Sequence, residues 1–274
     1  MKKGLLALVF LGLSCSVMAQ EAANKDIQAG LVFGAGLNIQ KMGTKKLATN
    51  GVGSLMTIGA NLNYSFNETI GINVGLEFDF ETLKYKTGSE GNVYYYYNDA
   101  TILNKSEMDT TTSQLFLLNT RKQKPIYLTI PIMALFRTKF IGYFRYFGKF
   151  GLRNSILLSN KTYDTGYNFA NDFPIDPSVA LKTEGKNDNM TYSKNDMDFF
   201  KSSVGLSGGA EWNFTGTTSL VAEIGYYYGF VDIYWNRKDN NRSLFTHDSG
   251  TLTTAFFNNS VKQSQLQFKV SILF

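Results

Sequence analysis

The side chains best placed to do chemistry in this 274-residue chain are charged and stand two or four residues apart. Glu77, Asp79 and Glu81 form one run and Arg145, Lys149 and Arg153 another, while Arg137, Glu211, Glu223 and Lys269 lie in segments of similar pattern. A spacing of two places side chains on one face of a β-strand. Acids and bases gathered on the same face of neighbouring strands could line a gated or selective passage. They could also close on one another, because enclosed charges need partners. Packing is the favoured reading, and Glu77, Asp79, Lys149, Arg153, Glu211, Glu223 and Lys269 are expected to form a structural ion-pair network.

Two other groups of residues could act. His247, Asp248 and Ser249 are the residue types of a hydrolytic triad, and His247 is the chain's one histidine. Neighbours in sequence do not generally reach the base–nucleophile geometry that a triad needs. A solvated histidine is therefore expected, and no catalytic residue is assigned. Tyr94, Tyr95, Tyr96 and Tyr97 form an unusual cluster. Tyrosines offer large amphipathic contact area at low entropy cost, which suits recognition of a protein or glycan. The same rings could instead pair across the strands of a hairpin, and both readings stay open. No metal site or cofactor is expected. Past residue 19 there is no cysteine, and Lys186-Asn187-Asp188-Asn189 lacks the later Glu of a calcium loop.

The elements that must hold these charges are strands. Ile70, Ile72, Val74, Leu76, Phe78 and Phe80 alternate with Gly71, Asn73, Gly75, Glu77, Asp79 and Glu81, so one face is apolar and the other polar or glycine. Leu266, Phe268, Val270, Ile272 and Phe274 repeat the pattern, as do Val204, Leu206, Ala210, Trp212 and Phe214. Further strands are expected near Ile27–Gln40, Ser54–Phe66, Pro125–Arg137, Phe144–Leu158 and Ser219–Ile233, making eight in all. The polar faces are rich in Gly, Ser and Asn, which leave room inside a narrow tube, and aromatics such as Tyr64, Phe136 and Trp212 fall near one rim. This combination predicts an all-β fold: a closed, antiparallel, up-and-down transmembrane barrel of eight strands, with ten as the fallback.

Connection lengths orient that barrel. Asn67–Thr69, Thr138–Tyr143 and Thr215–Thr218 are short, while the segments near 41–53, 83–124, 159–199 and 234–259 are long. Short turns belong on the periplasmic side and long loops outside. Residues 1–19 read as a signal peptide, with Lys2 and Lys3 ahead of an apolar run and cleavage before Gln20; 20–274 is then the barrel. Lipidation of Cys15 fits poorly, since Leu13 sits too close to it. Loss of Lys2 and Lys3 lowers the formal charge from +5 to +3, too balanced to suggest nucleic acid as a partner.

Several strand-length motifs resemble the PorT-like outer-membrane barrels common in Bacteroidota. Tyr127-Leu128-Thr129-Ile130-Pro131-Ile132 is similar to that family's Tyr-Leu-x-Ile-Pro-Leu segment. Phe150–Ser159, Val204–Glu211 and Tyr226–Ile233 resemble its glycine-containing strands. Phe230, Val231 and Leu152 depart from its more usual leucine and proline. The resemblance implies an outer-membrane barrel in contact with lipid, and the chain end at Phe274 resembles the signal read by barrel-assembly machinery. It implies a structural or interaction role, with a protein partner at the outer loops and a link to protein secretion by analogy. A narrow passive channel is the alternative.

Overall fold

The computed structural model describes residues 27–108, 113–169, 180–193, 196–215, 218–234, 238–248 and 253–274. The expected signal peptide lies outside these residues. Along the chain run β1 (Ile27–Met42), β2 (Leu47–Thr49), β3 (Gly53–Ser65), β4 (Ile70–Glu81), β5 (Leu83–Thr87), β6 (Val93–Asn98), β7 (Thr101–Ile102), β8 (Gln114–Gln123) and β9 (Ile126–Arg137). They are followed by β10 (Phe144–Ser159), β11 (Thr162–Phe169), β12 (Lys182–Tyr192), β13 (Phe200–Thr215), β14 (Thr218–Gly229), β15 (Phe245–Asp248), β16 (Thr253–Phe256) and β17 (Val261–Leu273).

Eight of these close a barrel in the order β1-β17-β14-β13-β10-β9-β4-β3. Each strand is antiparallel to the barrel strand before it in sequence, and β17 returns to β1 over Gly30↔Leu273 to Met42↔Val261. Closure leaves no strand edge facing lipid, where each unpaired backbone group would cost several kcal/mol. The ten-strand alternative is thereby excluded. Outward side chains such as Leu31, Phe33, Leu62, Ile132, Phe150, Leu206, Ile224 and Phe268 are exposed and form the lipid-facing belt. Inward positions hold the polar set.

The segments expected as long loops are largely strands. They assemble a second, nine-stranded sheet in the order β16-β15-β6-β7-β12-β11-β8-β5-β2. This cap grows directly from the wall: β5 follows β4, β8 precedes β9 and β11 follows β10 with at most two residues between them. Apart from the strand-like stretches Val93–Tyr97 and Gln114–Leu118, periodicity did not distinguish these strands from loop, because most are short or interrupted. Val93–Asn98 and Gln114–Gln123 pair with each other from Val93↔Leu118 to Tyr97↔Gln114.

Candidate functional site: the charged lumen and its cap

The barrel lumen is a column of ion pairs. At the end near the short turns, Arg145 Nε and Nη2 donate to Glu211 at 2.7 and 2.9 Å, a two-point contact, while Arg137 donates to Gln28 and Ser65. Register brings Arg145 and Glu211 together, since they are direct partners across β10 and β13. Above them Lys149 Nζ donates to Glu223 at 2.6 Å. Next, Lys269 meets Glu77 at 2.6 Å, and Arg153 Nη2 reaches both Glu77 (2.7 Å) and Asp79 (2.8 Å). Thr57 and Thr129 also donate to Asp79, and Gln265 accepts from Arg153. At the outer end Lys201 bonds Glu81 at 2.7 Å, with Gln263 donating to Glu81 and Asn38.

Pairing is what makes this arrangement tolerable. A charge stripped of water costs several kcal/mol unless good geometry and further hydrogen bonds offset the loss. The carboxylates of Glu77, Asp79 and Glu81 each accept from two or more donors. Rings fill the space between them. The Arg153 guanidinium lies 4.8 Å from the Tyr227 ring centroid, and Lys201 lies 3.7 Å from that of Tyr127. Glycine seats these rings: a Cβ at Gly205 would stand 2.4 Å from Tyr227 Cδ1, and one at Gly209 would stand 2.7 Å from Phe147 Cζ. Two cavities among these side chains measure about 10 Å³ each, at the lower limit of what one water needs.

All seven charges expected in an ion-pair network therefore lie in this column, though not as one level ring. Glu211 turns to Arg145, two steps below Lys149, whose partner on β13 is Ser207. Lys201, Gln263, Gln265 and Asn38 complete the column and were not singled out from sequence. Lys201 was recoverable, because it continues the inward parity of Ser203, Gly205 and Ser207 by one step.

The cap continues the column with different chemistry. Its inner face is aromatic and aliphatic: Leu83, Tyr85, Val93, Tyr95, Tyr97, Phe116 and Tyr234 pack over the barrel mouth. Buried among them, Arg121 grips Asp164 through two bonds of 2.8 and 2.7 Å and lies 4.8 Å from the Tyr95 ring centroid. Burial alone would lower the Arg121 pKa, but Asp164 holds it well above its usual value. Asp196 accepts from Gln123 at 3.3 Å, and burial pushes its carboxyl up to about 6.

Of the two readings of the tyrosine cluster, the paired strands are present and the recognition patch is corrected. Tyr94, Tyr95, Tyr96 and Tyr97 are all buried, so they do not form a patch open to a partner. Both faces of β6 are covered. Tyr95 and Tyr97 pack on Phe116 toward the mouth, while Tyr94 and Tyr96 stack on Phe245 at 5.7 and 4.8 Å. His247 and Asp248 are successive residues of β15 and project to opposite faces; Ser249 lies outside the described residues. Lys186–Asn189 is part of β12, where Asn187 donates to Tyr95 at 2.9 Å. Among the described residues, no cluster of three His, Cys, Asp or Glu could hold a metal.

A family model described as an outer membrane protein beta-barrel domain matches residues 18–234. Among solved structures, Ail of Yersinia pestis, in complex with the heparin analogue sucrose octasulfate, is similar at 9% identity and a TM-score of 0.34, over 91% of this chain and 99% of that one. OprG from Pseudomonas aeruginosa is similar at 10% identity and a TM-score of 0.42, over 91% and 95%. The outer membrane protease OmpT from Escherichia coli is similar at 9% identity and a TM-score of 0.32, over 92% and 97%. No curated protein matches the chain.

Proposed function

The chain belongs to the outer membrane protein β-barrel family, and from that premise we propose that it is a sealed, non-enzymatic barrel whose outer cap engages a protein partner. The observation that carries this reading is the way the chain divides its side chains. The lumen is filled by its own ion pairs, as in a support. The cap holds a second apolar cluster on the side of β6 turned away from the mouth, built on Tyr94, Tyr96, Leu115, Leu117 and Phe245. Closing the mouth does not require that cluster, but a rigid display surface does. By the resemblance to PorT-like barrels, a component of a protein-secretion assembly is the first partner to test.

Photo-crosslinkers at Ala255 and Lys186, exposed on the cap, and at Lys139 in the opposite turn test this in native outer membranes. A discrete adduct from the cap positions, absent from Lys139, is expected. No adduct from either cap position would contradict the reading.

A further inference from the structure

The outer rim of the lipid-facing belt carries lysines set directly against one another. On one side of the barrel, Lys41 and Lys262 are direct partners across β1 and β17. On another, Lys84 and Lys122 are direct partners across β5 and β8, and Lys122 in turn faces Tyr163 on β11. One step nearer the membrane the Lys124 amide donates to the Lys161 carbonyl at 2.8 Å, and Lys124 Nζ lies 4.7 Å from the Tyr163 ring centroid. Lys84 is half-buried and the other five lysines are exposed.

Three observations give this band a meaning. Like charges directly opposite on a sheet are destabilising, yet the arrangement occurs twice. No acidic side chain lies on the outward face of β5 or β8, and Asp164 of β11 points inward to Arg121. The lysines also continue the lipid-facing parity of the wall. Lys41 follows Ile39 and Lys124 precedes Ile126 by one step, while Lys84, Lys122 and Lys262 lie two steps from Phe80, Ile126 and Leu266. At the rise of a strand, two to four residues place the ammonium groups about 7–13 Å beyond the apolar belt, the depth of lipid headgroups. The opposite rim differs: Phe144 stacks on Trp212, Tyr64 meets Phe66, and the turn cation Lys139 already faces Glu68.

We propose that this outer lysine band binds the phosphate groups of the phosphorylated glycolipid of the outer leaflet, each facing lysine pair being bridged by a phosphate. The glycolipid's acyl chains would lie on the belt directly below, so the site joins a charged contact to an established apolar one. The inference does not depend on the cap having a protein partner.

Full-length protein folded in zwitterionic micelles is offered bisphosphorylated lipid A, the same lipid with both phosphates removed, and inorganic phosphate. Wild type is expected to hold the bisphosphorylated lipid at least about tenfold more tightly than the phosphate-free one, a preference that shrinks with added salt. K41Q/K84Q/K122Q/K124Q/K161Q/K262Q should reduce it to within about twofold, whereas removing charges away from the band, with K139Q/K182Q/K186Q/K238Q, should leave it intact. Equal retention of the two lipids by wild type would overturn the proposal without any variant. So would displacement of lipid A by an equal concentration of inorganic phosphate, or a folded sixfold band variant that keeps the preference.

Discussion

The barrel wall and the cap share strand directions but exchange the polarity of their faces. Through β4 the outward residues are Ile70 to Phe80 and the inward ones include Glu77, Asp79 and Glu81; across Thr82, the outward residues become Lys84 and Lys86 and the inward ones Leu83 and Tyr85. The same inversion separates β9 from β8, where outward Ile126 and Leu128 give way to Lys124 and Lys122. Alternation of direction is a property of the strand, whereas the choice of face follows the solvent. Next to lipid the apolar face must be outside, and past the headgroups it can move inside and form a water-excluding core. The two regions therefore use charge differently. Among the described residues, the lumen is mostly ion pairs with a few rings between them, and the cap interior is mostly rings with the Arg121–Asp164 ion pair at its centre.

The strongest way to break that contrast is to remove one cation from each region. Arg153→Met leaves Asp79 without a cation and Glu77 with Lys269 alone in the lumen, and Arg121→Met strands Asp164 in the cap; each should cost about 3–5 kcal/mol. The consequences should differ in extent. Arg153→Met should lower the urea midpoint of the whole barrel in lipid vesicles. Arg121→Met should expose the cap to protease while the barrel keeps its heat-resistant gel mobility. Replacing both members of the cap pair, as in Arg121→Met with Asp164→Leu, should recover most of the loss.

A smaller effect sharpens the comparison through pH. The Asp196 carboxyl is raised by burial from 3.8 to about 6, so folding favours its neutral form. That contribution is fully present below about pH 4 and is lost as pH rises through 6, a change of about 3 kcal/mol in cap stability. Hydrogen exchange of cap amides at pH 4 and pH 8 should show faster opening at the higher pH, and Asp196→Asn should flatten the difference. A cap more stable at pH 8 would contradict the assignment. The smallest effect belongs to the exposed pair Lys139–Glu68 in the turns, 3.3 Å apart: Lys139→Ala should change barrel stability by less than about 1 kcal/mol.

How much of this was legible in the sequence follows from the same exchange of faces. The wall strands are long and keep one pattern, so β4 is found at Ile70–Glu81 as expected and the other seven differ mainly at their ends. Inward charges could be read from parity, but their pairing could not. Counted from the short turns Glu211 and Lys149 lie one step apart, but the stagger of β10 against β13 sets Glu211 against Arg145 instead. The cap was obscured because its strands are short and because β6 is apolar on both faces, so Tyr94–Tyr97 shows no alternation at all. A run of four tyrosines looks like a display surface until Phe245, nearly 150 residues later, is seen to cover its second side.

The central claim, that the lumen is sealed by its own charges, is tested most directly by planar-bilayer conductance of the purified full-length protein. With cavities of about 10 Å³ each and the column of Arg145, Lys149, Arg153, Lys269 and Lys201 each bound to a carboxylate, the membrane should stay silent at voltages that leave the bilayer intact. Stable, sizeable single-channel steps from wild-type protein would contradict it.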